Sequence, residues 1–231
     1  MDIIVATSRG RPLQDYFTSR PNTIMEYRPG ASTEMLTHVA EDKMKKLPTP
    51  RIGHKHHVYF LSGLCDLTRR DRDKDTGYDE FTFMHNVEEA DSLIERIHES
   101  SSAIITQYDA IPIYCTIAPM DISKWNHHRL SIGKTSYLLH YNHYQDMQEN
   151  LINSTVFINH SICNRNAYNN MDTPRISHEI IYKPNARRPT YRMRYSNLSE
   201  DGCHPTEDVN CQWRINIDLC ATTNRRNSNA L

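Results

Sequence analysis

The chain has 231 residues, 38% hydrophobic and 24% charged, a size and balance that suit one globular domain with a real core and exclude a disordered or fibrous chain. Its 27 lysines and arginines against 28 aspartates and glutamates exclude a field of one sign that would steer it to nucleic acid or an anionic membrane, so only a local basic patch remains open. No apolar run approaches a bilayer span and no secretory leader precedes the first strand, so the expectation is a soluble, intracellular (cytoplasmic) protein without a membrane partner.

Asp2 to Ala6 reads as a short buried strand with β-branched residues at its centre, and Thr7, Ser8, Arg9 and Gly10 stand where it must turn into a helix over residues 11–17. Ser8 thus lies at the carboxyl end of a first strand, the edge of an α/β sheet where ligands gather. Its hydroxyl is either an amino cap or, with a base in reach, a nucleophile. Residues 23–27 form a second strand ending at Arg28-Pro29-Gly30, where Gly30 can bring a backbone N–H close to a ligand. Ser32 caps a helix over residues 33–46, and residues 56–62 form a third strand ending at Gly63-Leu64-Cys65-Asp66. The charge run 69–75 reads as a solvated loop, residues 78–84 as a small strand or lid, and residues 87–108 as a helix. A fourth strand over 111–117 leads into a polar loop, 120–134, that carries Trp125. A helix over 137–151, a fifth strand over 156–159, a polar excursion over 164–194, a closing helix over 206–219 and a frayed tail, 224–231, complete the chain. This alternation predicts an α/β fold: a single doubly wound α/β/α domain, residues 1–231, around a mostly parallel five-stranded sheet.

Asp201 and His204 stand three apart before the closing helix. That spacing lets the carboxylate hold one ring nitrogen while the other takes a proton from a hydroxyl, giving Ser8, His204 and Asp201 as nucleophile, base and orienter. In these blocks the chain resembles the SGNH (GDSL-like) hydrolases, including divergent members found in mobile elements and viruses. Ala6-Thr7-Ser8 stands where that family has Gly-Asp-Ser, Gly30 where it has an oxyanion-hole glycine, and Gly63-Leu64-Cys65-Asp66 where it has Gly-x-Asn-Asp. Asp201-Gly202-Cys203-His204 matches the final Asp-x-x-His block. The resemblance spans residues 2 to about 219. It implies a flavodoxin-like fold, a serine esterase or acylhydrolase acting on a small ester, no metal or cofactor, and an oxyanion hole at Ser8, Gly30 and position 65.

Two departures weaken that implication. The first block keeps only its serine, and Cys65 replaces an asparagine whose amide would donate to the oxyanion. A thiol is a weak donor, and losing one such donor costs about 100- to 1,000-fold in turnover. Arg9 either turns into the site as a substitute or points to solvent. The alternative is a catalytically weakened SGNH-like domain acting as a binding or accessory protein of a mobile element or virus. Arg187, Arg188, Arg192 and Arg194, interleaved with Tyr191 and Tyr195, would then be a nucleic-acid patch. The thirteen histidines show no metal-site spacing. The six cysteines read as free thiols, and Asp66 beside Cys65 argues against a cysteine nucleophile.

Overall fold

The computed structural model describes residues 1–51, 53–73, 75–185 and 190–228. Strand β1 (Asp2–Ala6) runs through a 3-10 turn (Ser8–Leu13) into the short helix α1 (Gln14–Thr18), and β2 (Thr23–Tyr27) leads into α2 (Thr33–Met44). β3 (His56–Leu61) is followed by the single turn α3 (Leu64–Leu67), the strands β4 (Arg69–Asp73) and β5 (Tyr78–Thr82), and the long helix α4 (Val87–Ile105). β6 (Ala110–Tyr114) precedes α5 (Ile122–Ser131) and α6 (Tyr144–Tyr168), and the short strands β7 (Ile181–Tyr182) and β8 (Arg192–Met193) precede α7 (Glu207–Ser228).

The main sheet is parallel, in the order β2-β1-β3-β6. β1 is internal and apolar on both faces because helices cover both: Ile3 and Val5 join the core under α2, α4 and α6, whereas Ile4 and Ala6 join the core under α1 and α7. Ile3 and Val5 have no exposed surface and Ile4 retains 1%. On the second face Trp213, Ile217 and Ala221 of α7 close the layer at four-residue spacing. The result is the predicted α/β/α architecture with four strands in place of five.

The fifth strand expected at residues 156–159 lies inside α6. Leu151, Thr155, Ile158 and Ile162 are buried at intervals of three and four, and that helical period overrides the local β propensity of Val156-Phe157-Ile158. Side chains of α6 stand in for the missing strand. Asn166 accepts from the Tyr114 N–H at 3.2 Å and donates to the Tyr114 carbonyl at 2.8 Å. Asn159 does the same to Ile117, at 2.6 and 2.9 Å. Each amide thereby replaces a peptide group on an edge that would otherwise leave buried polar atoms unpaired.

Other expectations are corrected as well. The charge run 69–75 contains β4, paired antiparallel with β5 and held to it by Arg70, which donates diagonally across the pair to Asp79 at 2.7 Å. The loop expected over 120–134 contains α5, started by Asp121, whose side chain accepts the Lys124 N–H at 2.9 Å, and held inward by Ile122 and Asn126. The helix expected over 137–151 begins only at Tyr144 and extends into the supposed excursion. The tail expected to fray at 224 continues α7 to Ser228, since the buried Asn224 is bonded to Asp172 N and O and to Tyr59. Among the described residues no helix is long and apolar enough to cross a membrane.

Candidate active site

Ser8 opens the turn after β1. Thr7 N–H still bonds to Leu61 O at 3.2 Å, so the chain leaves the sheet at Ser8 itself. The turn folds tightly back because residue 10 is glycine: a Cβ there would sit 2.2 Å from the Cβ of Ala6. Ser8 caps nothing, since the amino-cap position belongs to Thr7 and no side chain bonds the turn's N–H groups. Among the described residues the partner of the Ser8 hydroxyl is His204, with Oγ 3.1 Å from Nε2.

His204 and Asp201 lie in a loop whose ends are tied together. Leu198 bridges Pro205, Ser199 N–H donates to His204 O at 2.8 Å, and Gly202 O accepts from Asp121 N–H at 2.8 Å. Gly202 has φ +71, and a Cβ there would press to 2.8 Å from Lys124, so only glycine makes this bend beneath α5. Asp201 Oδ2 lies 2.5 Å from His204 Nδ1. Its Oδ1 accepts from Ser199 Oγ at 2.7 Å and from the N–H groups of Cys203 and His204 at 2.8 and 2.9 Å. Burial disfavours the Asp201 charge, but the hydrogen bonds from His204, Ser199 and the backbone prevail and hold its carboxyl well below the usual range. The Asp201 and His204 side chains are only 20% and 33% exposed, so the chain of contacts is half-buried yet reachable from solvent.

The other predicted residues converge less completely. Gly30 is exposed, with φ +70 and open space around it. Among the described residues neither its N–H nor that of Ser8 has a protein acceptor, so both are free to donate. Cys65 sits in the first turn of α3, and Asp66 beside it clamps α3 to α2 by accepting Thr33 N–H at 3.0 Å and Thr33 Oγ1 at 2.6 Å. Burial, reinforced by Asp66, pushes the Cys65 thiol up to about 11, so it remains an S–H group and is no nucleophile at neutral pH. Arg9 does not point to solvent, and its Nη2 lies 4.0 Å from Cys203 Sγ in the Asp201–His204 loop. It is 6% exposed and donates to the carbonyls of Ala118 and, at 3.1 Å, Pro119, tying the Ser8 turn to the segment after β6.

Trp125 escaped sequence reasoning because α5 read as a loop. Its ring lies 6.3 Å from that of His204 and meets Phe81 of β5 edge-on at 5.6 Å, so the β4–β5 pair backs the histidine through one aromatic ring. Arg187 and Arg188 lie outside the described residues. Arg194 is engaged locally, bonding His178 O at 2.9 Å with its guanidinium over the Tyr182 ring, and nothing here supports a nucleic-acid surface. Among the described residues no three His, Cys, Asp or Glu side chains converge as a metal site requires. A second Asp-His-Ser alignment joins Asp2, His57 and Ser228, with His57 Nδ1 3.2 Å from Asp2 and Nε2 2.8 Å from Ser228. Asp2 and His57 are each 2% exposed and the Ser228 hydroxyl also bonds Asn224 O, so this set fastens the end of α7 to the sheet.

No protein-family model and no curated protein sequence matches the chain. Solved structures do match its fold. A GDSL-like lipase from Bacteroides thetaiotaomicron VPI-5482 superposes with a TM-score of 0.58 at 12% identity, over 96% of this chain and 87% of that one. A Bacteroides fragilis NCTC 9343 protein assigned as an acylhydrolase gives 0.56 at 12% identity, over 96% and 86%. A member of the lipolytic G-D-S-L family from Veillonella parvula DSM 2008 gives 0.53 at 11% identity, over 96% and 97%. The chain therefore has the fold of the SGNH/GDSL hydrolases, at a sequence distance where fold alone is established. Nothing in these likenesses bears on a mobile-element origin.

Proposed function

We propose that this chain, folded as the SGNH/GDSL hydrolases are, is a serine esterase or acylhydrolase of small esters. The reading is carried by one observation: a continuous path from Ser8 Oγ to His204 Nε2 at 3.1 Å and from His204 Nδ1 to Asp201 at 2.5 Å, at the carboxyl edge of the sheet. Asp201, kept charged by its hydrogen bonds, fixes the ring proton on Nδ1 and leaves Nε2 as the acceptor. As Ser8 Oγ attacks the ester carbonyl, its proton passes to Nε2 and the carbonyl oxygen becomes an oxyanion. The N–H groups of Ser8 and Gly30 are the donors for that oxygen, with the Cys65 S–H as a weak third. Nε2 then gives its proton to the departing alcohol, and a water activated in the same way releases the acyl group from Ser8.

Fluorophosphonate labelling tests this assignment. The parent protein should be labelled at Ser8, and Ser8→Ala and His204→Ala should both abolish labelling while keeping the parent's circular dichroism. Labelling that persists in Ser8→Ala, whether on Ser228 or elsewhere, overturns it.

A further inference from the structure

At the opposite end of the sheet from Ser8 lies a cavity of about 1170 Å³, between α4, α6 and the first residues of β6. It exists because β6 presents only Ala110 and Pro112 to the helices there, whereas farther along the same face Tyr114 fills the space. Its buried apolar side chains are Ile94 of α4, Ile158 and Ile162 of α6, and Met171, and polar and charged residues complete the lining. Two features inside it are polar and unsatisfied.

The first is His98. Its ring lines the cavity, is 4% exposed and stacks on Tyr114 at 3.7 Å, and neither ring nitrogen has a hydrogen-bond partner among the described residues. The second is the backbone edge. His56 N–H bonds Asp109 O and Cys115 N–H bonds Phe60 O, so the odd-numbered residues of β6 face β3 and the even-numbered ones face outward. Asn166 satisfies Tyr114, and Pro112 has no N–H to satisfy. The Ala110 N–H and the carbonyls of Ala110 and Pro112 are left facing the cavity side without a protein partner. Polar groups so placed are ready to pair with the donor and acceptor of a ligand.

We propose that this cavity is a second binding site, distinct from the Ser8 site, for a small neutral molecule that joins an aromatic ring or branched hydrocarbon to one amide or hydroxyl group. Neutrality follows from the buried part of the walls, since Arg51, His54, Lys55 and Asp109, which also line the cavity, are exposed to solvent. Arg165 is paired with Glu95 at 3.5 Å, Asp91 accepts from Ser161 at 3.2 Å, and burial, with Arg165 nearby, pushes His98 down to about 3, so its ring is uncharged at neutral pH. A neutral imidazole offers one donor and one acceptor and the strand edge one donor and two acceptors, and both amides and hydroxyls carry the complementary pair. At about 1170 Å³ the cavity is slightly larger than the roughly 300–1,000 Å³ usual for small-molecule pockets and has room for such a ligand.

Benzamide and toluene serve as probes, with and without the amide, in titrations followed by amide chemical shifts of the full chain. Benzamide should bind saturably, shifting Ala110 and His98, and Ser8→Ala should bind it unchanged. His98→Phe keeps the ring stack but removes both nitrogens, so benzamide affinity should fall about tenfold, the worth of one hydrogen bond, with toluene unaffected. Ile162→Trp should fill the cavity and remove both. Absence of saturable benzamide binding, an unchanged affinity in His98→Phe, or loss of binding in Ser8→Ala each overturns the proposal. Because His98→Phe adds only the difference between a six- and a five-membered ring, its result stands even if Ile162→Trp fails to fold.

Discussion

Asp201→Asn should disarm the site without disturbing the fold, for a reason visible in its hydrogen bonds. Oδ1 accepts from Ser199 Oγ at 2.7 Å and from the N–H groups of Cys203 and His204 at 2.8 and 2.9 Å. In the variant those three donors select the amide oxygen for that position and turn the NH2 group toward His204 Nδ1. An NH2 group only donates, so Nδ1 must accept, and the ring proton moves to Nε2, where the Ser8 hydroxyl needs an acceptor. The wrong tautomer in such a triad costs about 10⁴ in turnover, roughly 5 kcal/mol of barrier. Hydrolysis of p-nitrophenyl acetate and fluorophosphonate labelling should both slow by about that factor, with circular dichroism like the parent's and a melting temperature at pH 7 below it, because the stabilising charge is gone. The stability arm has its own sign. Because its hydrogen bonds hold the Asp201 carboxyl below the usual range, its charge stabilises the native state above the unfolded value of about 4. That contribution fades as pH falls toward the lowered folded value, so acid should cost the parent more stability than it costs Asp201→Asn. Turnover of Asp201→Asn within tenfold of the parent would refute the reasoning.

Three other changes read different parts of the molecule. Cys65→Asn restores an amide donor where the family resemblance puts one, and should raise p-nitrophenyl acetate turnover by at least tenfold; an unchanged rate in a folded protein would remove position 65 from the oxyanion hole. Asn159→Leu strips the Ile117 N–H and carbonyl of both partners, leaving two unmet backbone groups at about 1–3 kcal/mol each, so chemical denaturation should show a loss of about 2–6 kcal/mol, and less than about 1 kcal/mol would contradict the strand-substitute role. Glu80 has no exposed surface and accepts from Tyr78, Tyr144, His140 and the N–H groups of Leu139 and His140. Burial opposes its charge, but those bonds hold the carboxyl below its usual range. Glu80→Gln turns an NH2 group toward donors and should cost about 3 kcal/mol, or roughly 6–12 °C in melting temperature at pH 7. The deficit should shrink only below about pH 4, as pH falls from the unfolded value toward the lowered folded one and the parent loses the benefit of the charge, and a melting temperature within 2 °C of the parent at pH 7 would contradict this account.

The strands that carry the site were legible because they are internal. β1 and β3 begin at the expected residues, since a strand covered on both faces advertises itself as an apolar run with turn residues after it, whereas the edge strand β2, with only Met25 buried, was marked by the Arg28-Pro29-Gly30 turn that ends it. The Asp201 and His204 loop was legible for a local reason, the three-residue spacing. What stayed hidden is tertiary. Nothing in Val156-Phe157-Ile158 announces a helix until the buried residues at 151, 155, 158 and 162 are counted together. Trp125 was set in a loop because α5 has few apolar residues, and only its amino cap and two inward side chains make it a helix. Arg9 illustrates the limit most directly. Its partners lie 109 and 110 residues away, a distance at which no spacing rule operates.

The substitution of asparagines for a fifth strand also explains where the second cavity lies. Asn159 and Asn166 are seven residues apart on α6, which at about 1.5 Å per residue places their amides about 10 Å apart. Their targets, Ile117 and Tyr114, are three residues apart on extended chain, which at about 3.3 Å per residue is again about 10 Å. Helix and strand run in opposite senses, so the two amides meet the edge in step. The next amide in step would fall at position 173, but α6 ends at Tyr168. Residue 173 is a threonine whose hydroxyl receives the Asn166 amide at 3.0 Å and supplies no peptide mimic of its own. The edge of β6 before Tyr114 is therefore beyond the reach of α6. A proline at 112 removes one N–H from the deficit, and the groups that remain, at Ala110 and Pro112, are those that line the cavity beside His98. If the asparagine register sets this boundary, Asn166→Leu should expose Tyr114 N–H to hydrogen exchange while leaving Ala110 unchanged. Faster exchange at Ala110 would show that α6 protects the whole edge and that the cavity has another origin.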